Sequence, residues 1–295
     1  MSNLSPTPSE PLALQGPVVS TEWLAQWTGH PRLRVVDGSW YLAAMARDPH
    51  QEFRAAHLPG AVFWDLDALS EQGNPLPHML ADTVTAARDI GRLGIGNDDT
   101  VISYDGSGTN LSAARIWWTL RVFGHDRVAV LDGGIGKWVR EGRPVERGES
   151  TPQPVTFRAA FRRELVRDLA EMRALVSSEE VTLLDARAVG RFEGREPEPR
   201  PGLRSGHIPG AKNLPYSALV SAEGTLLEPA ELRGRFRDAG VDLAKPVVTS
   251  CGSGVSACAL ALGLEVIGHR ATAVYDGSWT EWGGREDTPV ATGHA

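Results

Sequence analysis

The stretch VVTSCGSGVSA, residues Val247–Ala257, carries the clearest structural signal in the chain. A β-branched apolar run leads into a cysteine, then a turn of small residues, then an apolar segment suited to a helix. A buried parallel strand that ends in a loop at the start of a helix has this pattern. Gly252 and Gly254 allow the backbone to curl so that successive N–H groups point inward and form an anion-binding nest. We therefore expect an α/β fold with a site at this strand end.

Cys251 lies where this nest and the start of the following helix both act on it. A helix N-terminus carries partial positive charge, and such surroundings favour a reactive thiolate. A buried cysteine at a strand end is also commonly inert, so the loop alone leaves both interpretations open. The other cysteine, Cys258, falls within the apolar segment and is predicted to be core packing.

Composition limits the classes of function. The 295 residues are enough for two domains, and 41% hydrophobic with 23% charged residues is typical of a globular protein. A net charge of −7 argues against nucleic-acid or anionic-membrane partners. No cysteine–histidine spacing suggests zinc, and no cofactor is expected. Residues 1–17, rich in serine and proline, are predicted to be a disordered lead-in without a signal peptide, which favours a cytoplasmic location.

The second half of the chain repeats the first at an offset of about 150 residues, which indicates two copies of one domain. Strands alternate with helices in each copy, so we expect tandem domains, each with a mainly parallel sheet flanked by helices. The predicted boundaries are 18–141, a linker at 142–160, and 161–295. The matching elements are Val35–Asp37 with Leu183–Asp185, Ala56–Ala61 with Gly206–Ala211, Val101–Asp105 with Val247–Cys251, and Val130–Gly133 with Val274–Gly277.

The repeat also differs between its copies at one decisive position. Asp105 stands where the second copy has Cys251, so the first copy lacks the thiol and is predicted to be non-catalytic. His57 and His207 occupy matching turns of both copies, including the copy without the cysteine. Both histidines are therefore predicted to be structural.

The sequence from about Val18 onward resembles the two-domain rhodanese family of sulfurtransferases, including the Asp-Gly-x-x-x-x-Trp elements at 132–138 and 276–282. The Cys-Gly-Ser-Gly-Val loop is similar to that of the family branch that uses 3-mercaptopyruvate. Thiosulfate-preferring members typically carry Cys-Arg-Lys-Gly-Val, and those two cationic positions are Gly252 and Ser253 here. Ser256 stands where threonine is usual and keeps the hydroxyl. The resemblance implies two rhodanese-like domains, the second catalytic.

The resemblance also implies which residues form the site. Arg191 and Arg200 are similar to the family's pair for the substrate carboxylate, which suits the planar guanidinium fork. The less favoured alternative is that they are solvated surface arginines. The Pro- and Gly-rich segment 187–204 is predicted to be a loop, and Arg187 is predicted to be structural. Asp67, His78 and Ser253 resemble a hydrogen-bonded chain that either moves a proton or only holds a domain interface. The remaining substrate-binding positions implied are Gly252, Gly254, Val255 and Ser256.

The function implied is transfer of sulfane sulfur from 3-mercaptopyruvate, through a persulfide on Cys251, to a thiol such as thioredoxin or to cyanide, with release of pyruvate. Thiosulfate sulfurtransferase with the same persulfide chemistry is the main alternative, and a non-catalytic persulfide carrier is another. A cysteine phosphatase needs an arginine six residues after the cysteine, where this chain has Ala257. The sequence therefore favours a sulfurtransferase.

Overall fold

The computed structural model describes residues 12–176, 178 and 180–294, which divide into two compact units. Unit 1 contains the described part of Met1–Leu69, then Asp82–Phe161 and Glu223–Thr225. Unit 2 contains Ser70–Ala81, with the described parts of Arg162–Ala222 and Leu226–Ala295. A segment from the first half of the chain, residues 70–81, thus belongs to unit 2.

Each unit contains a five-stranded sheet in which every neighbouring pair is parallel, flanked by helices, as the sequence predicts. The strand orders are β1-β5-β4-β2-β3 and β6-β10-β9-β7-β8. Unit 1 comprises β1 Val18–Val19, α1 Thr21–Trp27, β2 Leu33–Asp37, α2 Pro49–Ala55, β3 Ala61–Phe63, α3 Thr83–Arg92, β4 Thr100–Tyr104, α4 Leu111–Val122, β5 Val128–Leu131 and α5 Gly134–Arg140. Unit 2 comprises β6 Val166–Arg167, α6 Leu169–Leu175, β7 Thr182–Asp185, α7 Val189–Phe192, β8 Lys212–Asn213, α8 Pro229–Asp238, β9 Val247–Ser250, α9 Ala257–Val266, β10 Thr272–Tyr275 and α10 Ser278–Gly283. Short 3₁₀ helices lie at Ala43–Met45, Arg163–Leu165 and Tyr216–Leu219.

The central strands and the helices that follow them are the most buried elements. All residues of β4 and β9 are buried, as expected for the middle strand of a parallel sheet with both faces covered. In α9, every residue from Ala257 to Leu264 is buried, so this helix has no polar face. The loop between β9 and α9 is therefore fixed at both of its ends. Across the described ranges, no helix is long and apolar enough to cross a membrane.

The predicted disordered lead-in is wrong for residues 12–17. Leu12 is buried in the core of unit 1, and its carbonyl oxygen accepts a hydrogen bond from Thr100 Oγ1 at 3.0 Å. The Pro17 carbonyl oxygen accepts the N–H of Val130 at 2.9 Å. The burial of Leu12 and the backbone pairing of Pro17 fix this segment to unit 1 despite its Ser/Pro-rich composition. Residues 1–11 lie outside the described residues.

The predicted linker at 142–160 follows the surface of unit 1. The N–H of Val155 donates to the Gly91 carbonyl oxygen at 2.9 Å, and the N–H of Ala160 donates to the Phe123 carbonyl oxygen at 3.0 Å. These contacts fix the segment to the unit that precedes it in the chain. The boundaries at 141 and 160 stay predictions.

A buried carboxyl group lies at the end of β2. Asp37 is 3% exposed, and its Oδ1 accepts the N–H of Ser39 at 2.8 Å. Burial raises the pKa of Asp37 to about 6, although hydrogen bonds from Ser39 and Tyr104 oppose the shift; the negative charge of Asp105 adds to it. At neutral pH this group carries a charge that the interior disfavours.

We predict that Asp37→Asn stabilises the protein at pH 7.5 and not at pH 4. Because the folded-state pKa is raised, the stabilising contribution of the protonated carboxyl is complete below pH 3.8 and is lost as the pH rises through 6. The difference between the pKa values of 3.8 and about 6 corresponds to about 3 kcal/mol. We therefore expect the free energy of unfolding to rise by about 1–3 kcal/mol at pH 7.5. Denaturant unfolding at both pH values measures it, with Asp98→Asn, on an exposed side chain, as the control. An equal effect of Asp37→Asn at both pH values contradicts this account.

Candidate active site

Cys251 directly follows the central strand β9 and is 1% exposed. Its N–H donates to Ser278 Oγ at 3.1 Å, and its carbonyl oxygen accepts the N–H of Trp279 at 2.9 Å. The next carbonyl oxygen, that of Gly252, accepts the N–H and the Oγ1 hydroxyl of Thr280 at 2.8 and 2.6 Å. Three consecutive residues at the start of α10 thus hold the backbone around the cysteine.

Glycine occupies two positions of this loop for different structural reasons. Gly254 adopts a φ of 75°, the left-handed region in which glycine is favoured. Gly252 leaves room for two arginines, because a Cβ there would lie 3.2 Å from Arg191 Nη2 and 3.9 Å from Arg200 Nη1. The structure therefore places both sequence-predicted arginines beside the residue that follows the cysteine.

Arg191 is held by a buried carboxylate that the sequence did not single out. Its Nε and Nη2 approach the two oxygens of Glu198 at 3.3 and 2.5 Å, and the Glu198 side chain is 2% exposed. This contact uses the side edge of the guanidinium and leaves the edge formed by Nη1 and Nη2. The prediction of a loop at 187–204 is wrong at Arg191, which lies in the single helical turn of α7. Residues Ala188 to Glu193 complete that turn through backbone hydrogen bonds.

Arg187 extends this contact into a chain of alternating charges. Arg187 is 1% exposed. Its Nη2 donates to Asp185 Oδ2 and its Nη1 donates to Glu198 Oε1, both at 2.7 Å. Its guanidinium also stacks 4.4 Å above the ring of Trp279. Burial alone lowers the pKa of Arg187, but the two carboxylates outweigh it and the pKa is raised. These contacts agree with the structural role predicted for Arg187.

Ser253 and His78 form a buried pair within unit 2. His78 Nδ1 lies 2.9 Å from Ser253 Oγ, and the two residues are 4% and 6% exposed. The segment that carries His78 is anchored where the N–H of Leu80 donates to Asp276 Oδ2 at 2.9 Å. Asp67 belongs to unit 1, where its Oδ2 accepts the indole N–H of Trp40 at 3.1 Å.

The residues predicted to be structural have matching surroundings in the two units. His57 Nδ1 lies 2.8 Å from the Phe53 carbonyl oxygen and its ring stacks on Phe53 at 4.1 Å. His207 Nδ1 lies 2.8 Å from the Phe192 carbonyl oxygen and stacks at 3.7 Å; burial lowers the pKa of His207. Cys258 is fully buried, with its Sγ 3.2 Å from the Gly254 carbonyl oxygen.

In unit 1, the corresponding loop after β4 binds a carboxylate through its N–H groups. Asp105 occupies the position of Cys251, and its Oδ1 accepts the N–H and the hydroxyl of Ser107 at 2.8 and 2.6 Å. Its Oδ2 accepts the N–H groups of Ser112 and Ala113, each at 2.9 Å, in the first turn of α4. The loop and helix start of unit 1 therefore hold an anion that belongs to the chain itself.

The sequence profile of the rhodanese-like domain matches residues 20–141 and 168–285. The chain belongs to the two-domain rhodanese family of sulfurtransferases. It is 43% identical over 270 residues to 3-mercaptopyruvate sulfurtransferase of Homo sapiens, covering 90% of this chain and 91% of the human protein. It is 42% identical over 295 residues to a mitochondrial thiosulfate/3-mercaptopyruvate sulfurtransferase of Arabidopsis thaliana, covering 93% of this chain and 78% of the plant protein.

A solved structure gives the same result. The crystal structure of SseA from Escherichia coli, described as having the rhodanese fold of 3-mercaptopyruvate sulfotransferases, superimposes with a TM-score of 0.82 at 36% identity. The match covers 90% of this chain and 99% of the SseA chain. The family predicted from the cysteine loop and the repeat is thus confirmed.

We predict that Glu198→Gln weakens both the fold and the binding of carboxylate-bearing donors. Removing the shared carboxylate charge leaves Arg187 and Arg191 under-compensated in a buried place, which costs about 3 kcal/mol in the free energy of unfolding. Arg191 is also no longer fixed beside Gly252, so we expect KM for such a donor to rise about tenfold. Thermal unfolding and steady-state kinetics measure the two effects. Glu196→Gln, the same change on an exposed neighbour, is the control, and indistinguishable behaviour of the two variants would contradict the role of Glu198.

Proposed function

We propose that this sulfurtransferase moves the sulfur of 3-mercaptopyruvate to a thiol acceptor through a persulfide on Cys251, and releases pyruvate. The observation that carries the proposal is the position of Arg191 and Arg200 beside Gly252. Two guanidinium groups next to a loop that has no cationic side chain of its own suit a donor whose charged carboxylate stands away from its reacting sulfur.

In the first half-reaction the Cys251 thiolate attacks the donor sulfur. An S–S bond forms, the carbon–sulfur bond breaks, and its electron pair leaves on carbon as the enolate of pyruvate. The proton of the donor thiol is transferred to that carbon, so the enzyme retains an anionic persulfide and releases pyruvate. Splitting the transfer into two steps predicts ping-pong kinetics.

Ser253 and His78 are proposed to carry that proton. Their 2.9 Å contact is short enough for proton transfer between a hydroxyl and an imidazole. Both side chains are buried, so bulk water competes little with them. Asp67 as the third member of this relay stays a prediction, as does the alternative that these polar groups only hold an interface.

In the second half-reaction a thiolate, or cyanide in an assay, attacks the outer sulfur of the persulfide and regenerates the Cys251 thiolate. Gly252, Gly254, Val255 and Ser256 are proposed to line the bound sulfur with backbone N–H groups. The unit 1 loop, in which N–H groups bind the Asp105 carboxylate, supports this stabilisation of an anion. Thioredoxin as the acceptor remains a proposal.

The sulfur donor and the cellular location each have an alternative. The Arabidopsis relative is named for both thiosulfate and 3-mercaptopyruvate, so thiosulfate is the rival donor. The same relative is mitochondrial. A cytoplasmic location of this chain is proposed because a reducing compartment preserves a reactive thiol.

We predict that Cys251→Ser abolishes sulfur transfer and that Cys258→Ser retains most of it. Only the first change removes the nucleophile, whereas Cys258 packs within α9. Mass spectrometry after donor treatment should find one added sulfur on the peptide that contains Cys251 in the wild-type protein. A Cys251→Ser variant that still turns over the donor would overturn the mechanism.

We predict that kcat/KM for 3-mercaptopyruvate exceeds that for thiosulfate by at least about tenfold, or about 1.4 kcal/mol. Thiosulfate carries two charges close to its reacting sulfur and gains from cations beside the thiolate, which Gly252 and Ser253 do not supply. Kinetics with the two donors side by side measure the ratio. Equal or better use of thiosulfate would refute the donor assignment and leave the persulfide chemistry intact.

The variant Gly252→Arg with Ser253→Lys extends this test. A side chain at 252 begins 3.2 Å from Arg191 Nη2 and 3.9 Å from Arg200 Nη1, so we expect the new cation to repel the pair proposed to bind the carboxylate. Ser253→Lys also removes the hydroxyl that contacts His78. We expect the donor ratio to shift toward thiosulfate, mainly through loss of 3-mercaptopyruvate activity. Gly252→Ala, which adds a single methyl group, is the control.

A further inference from the structure

Ser278 has a backbone conformation that its side chain disfavours. Its φ is 50°, in the left-handed region that residues other than glycine seldom adopt, and the residue is fully buried. Such strain persists only where the surroundings hold it, and it commonly marks a functional site. Ser278 lies one residue before Trp279, at the first position of α10.

The corresponding residue of unit 1 is a glycine with nearly the same φ. Gly134 follows Asp132-Gly133 as Ser278 follows Asp276-Gly277, and its φ is 53°. A Cβ at Gly134 would collide with the backbone carbonyl oxygen of Asp105. The copy without the cysteine thus has the unstrained residue, and the copy with the cysteine has a serine in the same conformation.

The hydroxyl of Ser278 explains why a serine is present despite the strain. It donates to the Tyr275 carbonyl oxygen at 2.7 Å. Its single proton is used there, so the oxygen is left as an acceptor, and the N–H of Cys251 donates to it at 3.1 Å. The hydroxyl therefore has one fixed orientation and one fixed partner in the cysteine loop.

We infer that Ser278 is a positioning residue for Cys251. By accepting the N–H of Cys251 it fixes the backbone from which the thiol projects, while the N–H groups of Trp279 and Thr280 fix the two carbonyl oxygens that follow. The inference rests on the proposed role of Cys251 as nucleophile. Ser278 touches neither donor nor sulfur in this account, so it affects the rate of the chemical step and not the binding of the donor carboxylate.

The decisive variant is Ser278→Gly, because glycine adopts this φ without strain and lacks the side chain that carries the hydroxyl. At saturating 3-mercaptopyruvate, the single-turnover rate of persulfide formation on Cys251 should fall at least about tenfold. KM should change by less than about twofold, because Arg191 and Arg200 are untouched. The melting temperature should stay within a few degrees of wild type. Ser278→Ala should show the same loss of rate with a lower melting temperature.

Thr288→Val is the matched control. Thr288 is another buried hydroxyl residue of unit 2, and its Oγ1 binds the Trp282 carbonyl oxygen at 2.6 Å and Arg204 at 2.7 Å, without contact to the cysteine loop. Its loss should lower the melting temperature and leave the rate of persulfide formation unchanged.

The outcomes separate this inference from the proposed function. Wild-type protein that gains no sulfur on Cys251 contradicts the proposed mechanism. Wild-type protein that forms the persulfide, together with Ser278→Gly that forms it equally fast, overturns the positioning role alone. A loss of rate in Ser278→Gly that Thr288→Val matches would also overturn it, since the loss of any buried hydroxyl of unit 2 would then give that result.

Discussion

Unit 1 holds a carboxylate at the end of its buried central strand, and this contact is the physical model for the cysteine loop of unit 2. A charge in that place is costly unless hydrogen-bond donors surround it. In unit 1 the donors are the N–H groups of the loop and of the first turn of α4, and the charge is the fixed carboxylate of Asp105. In unit 2 the same position is Cys251, on which the proposed mechanism places an anionic persulfide. Under that proposal, the repeat keeps an anion site at this strand end and changes the group that occupies it.

The cationic side of the site depends on a second, internal compensation. Arg191 is 20% exposed at its side chain and lies beside an almost fully buried Glu198, which in turn binds Arg187 and, through it, Asp185. Alternating charges make it possible to keep an arginine close to an apolar strand end without an unpaired buried charge. The same chain fixes the orientation of the Arg191 guanidinium. The edge that the proposed function assigns to the donor carboxylate is therefore set by contacts within the protein.

The cysteine loop, the repeat and the parallel sheets were predictable from the sequence because each leaves a local pattern. The apolar run at 247–250 and the small-residue turn after it are contiguous, and the family resemblance added Arg191, Arg200, His78 and Ser253. Glu198 and Ser278 carry no such pattern. A glutamate between two prolines reads as surface, and its burial arises from two arginines that folding brings to it. A serine with a φ of 50° is indistinguishable in sequence from any other serine, and comparison with Gly134 is the signal that identifies it.

Gly252 lies between the cysteine and the two arginines, and it bears on which donor the loop suits. A Cβ at this position would lie 3.2 Å from Arg191 Nη2 and 3.9 Å from Arg200 Nη1. A cation carried by residue 252 itself would stand nearer the thiolate and would repel both guanidinium groups. Under the proposed function, cationic charge can thus stand beside the sulfur or farther away beside the carboxylate, and mutual repulsion disfavours having both. A doubly charged compact donor suits the first arrangement and a keto acid suits the second, so we propose that the absence of a side chain at residue 252 contributes to the choice of donor.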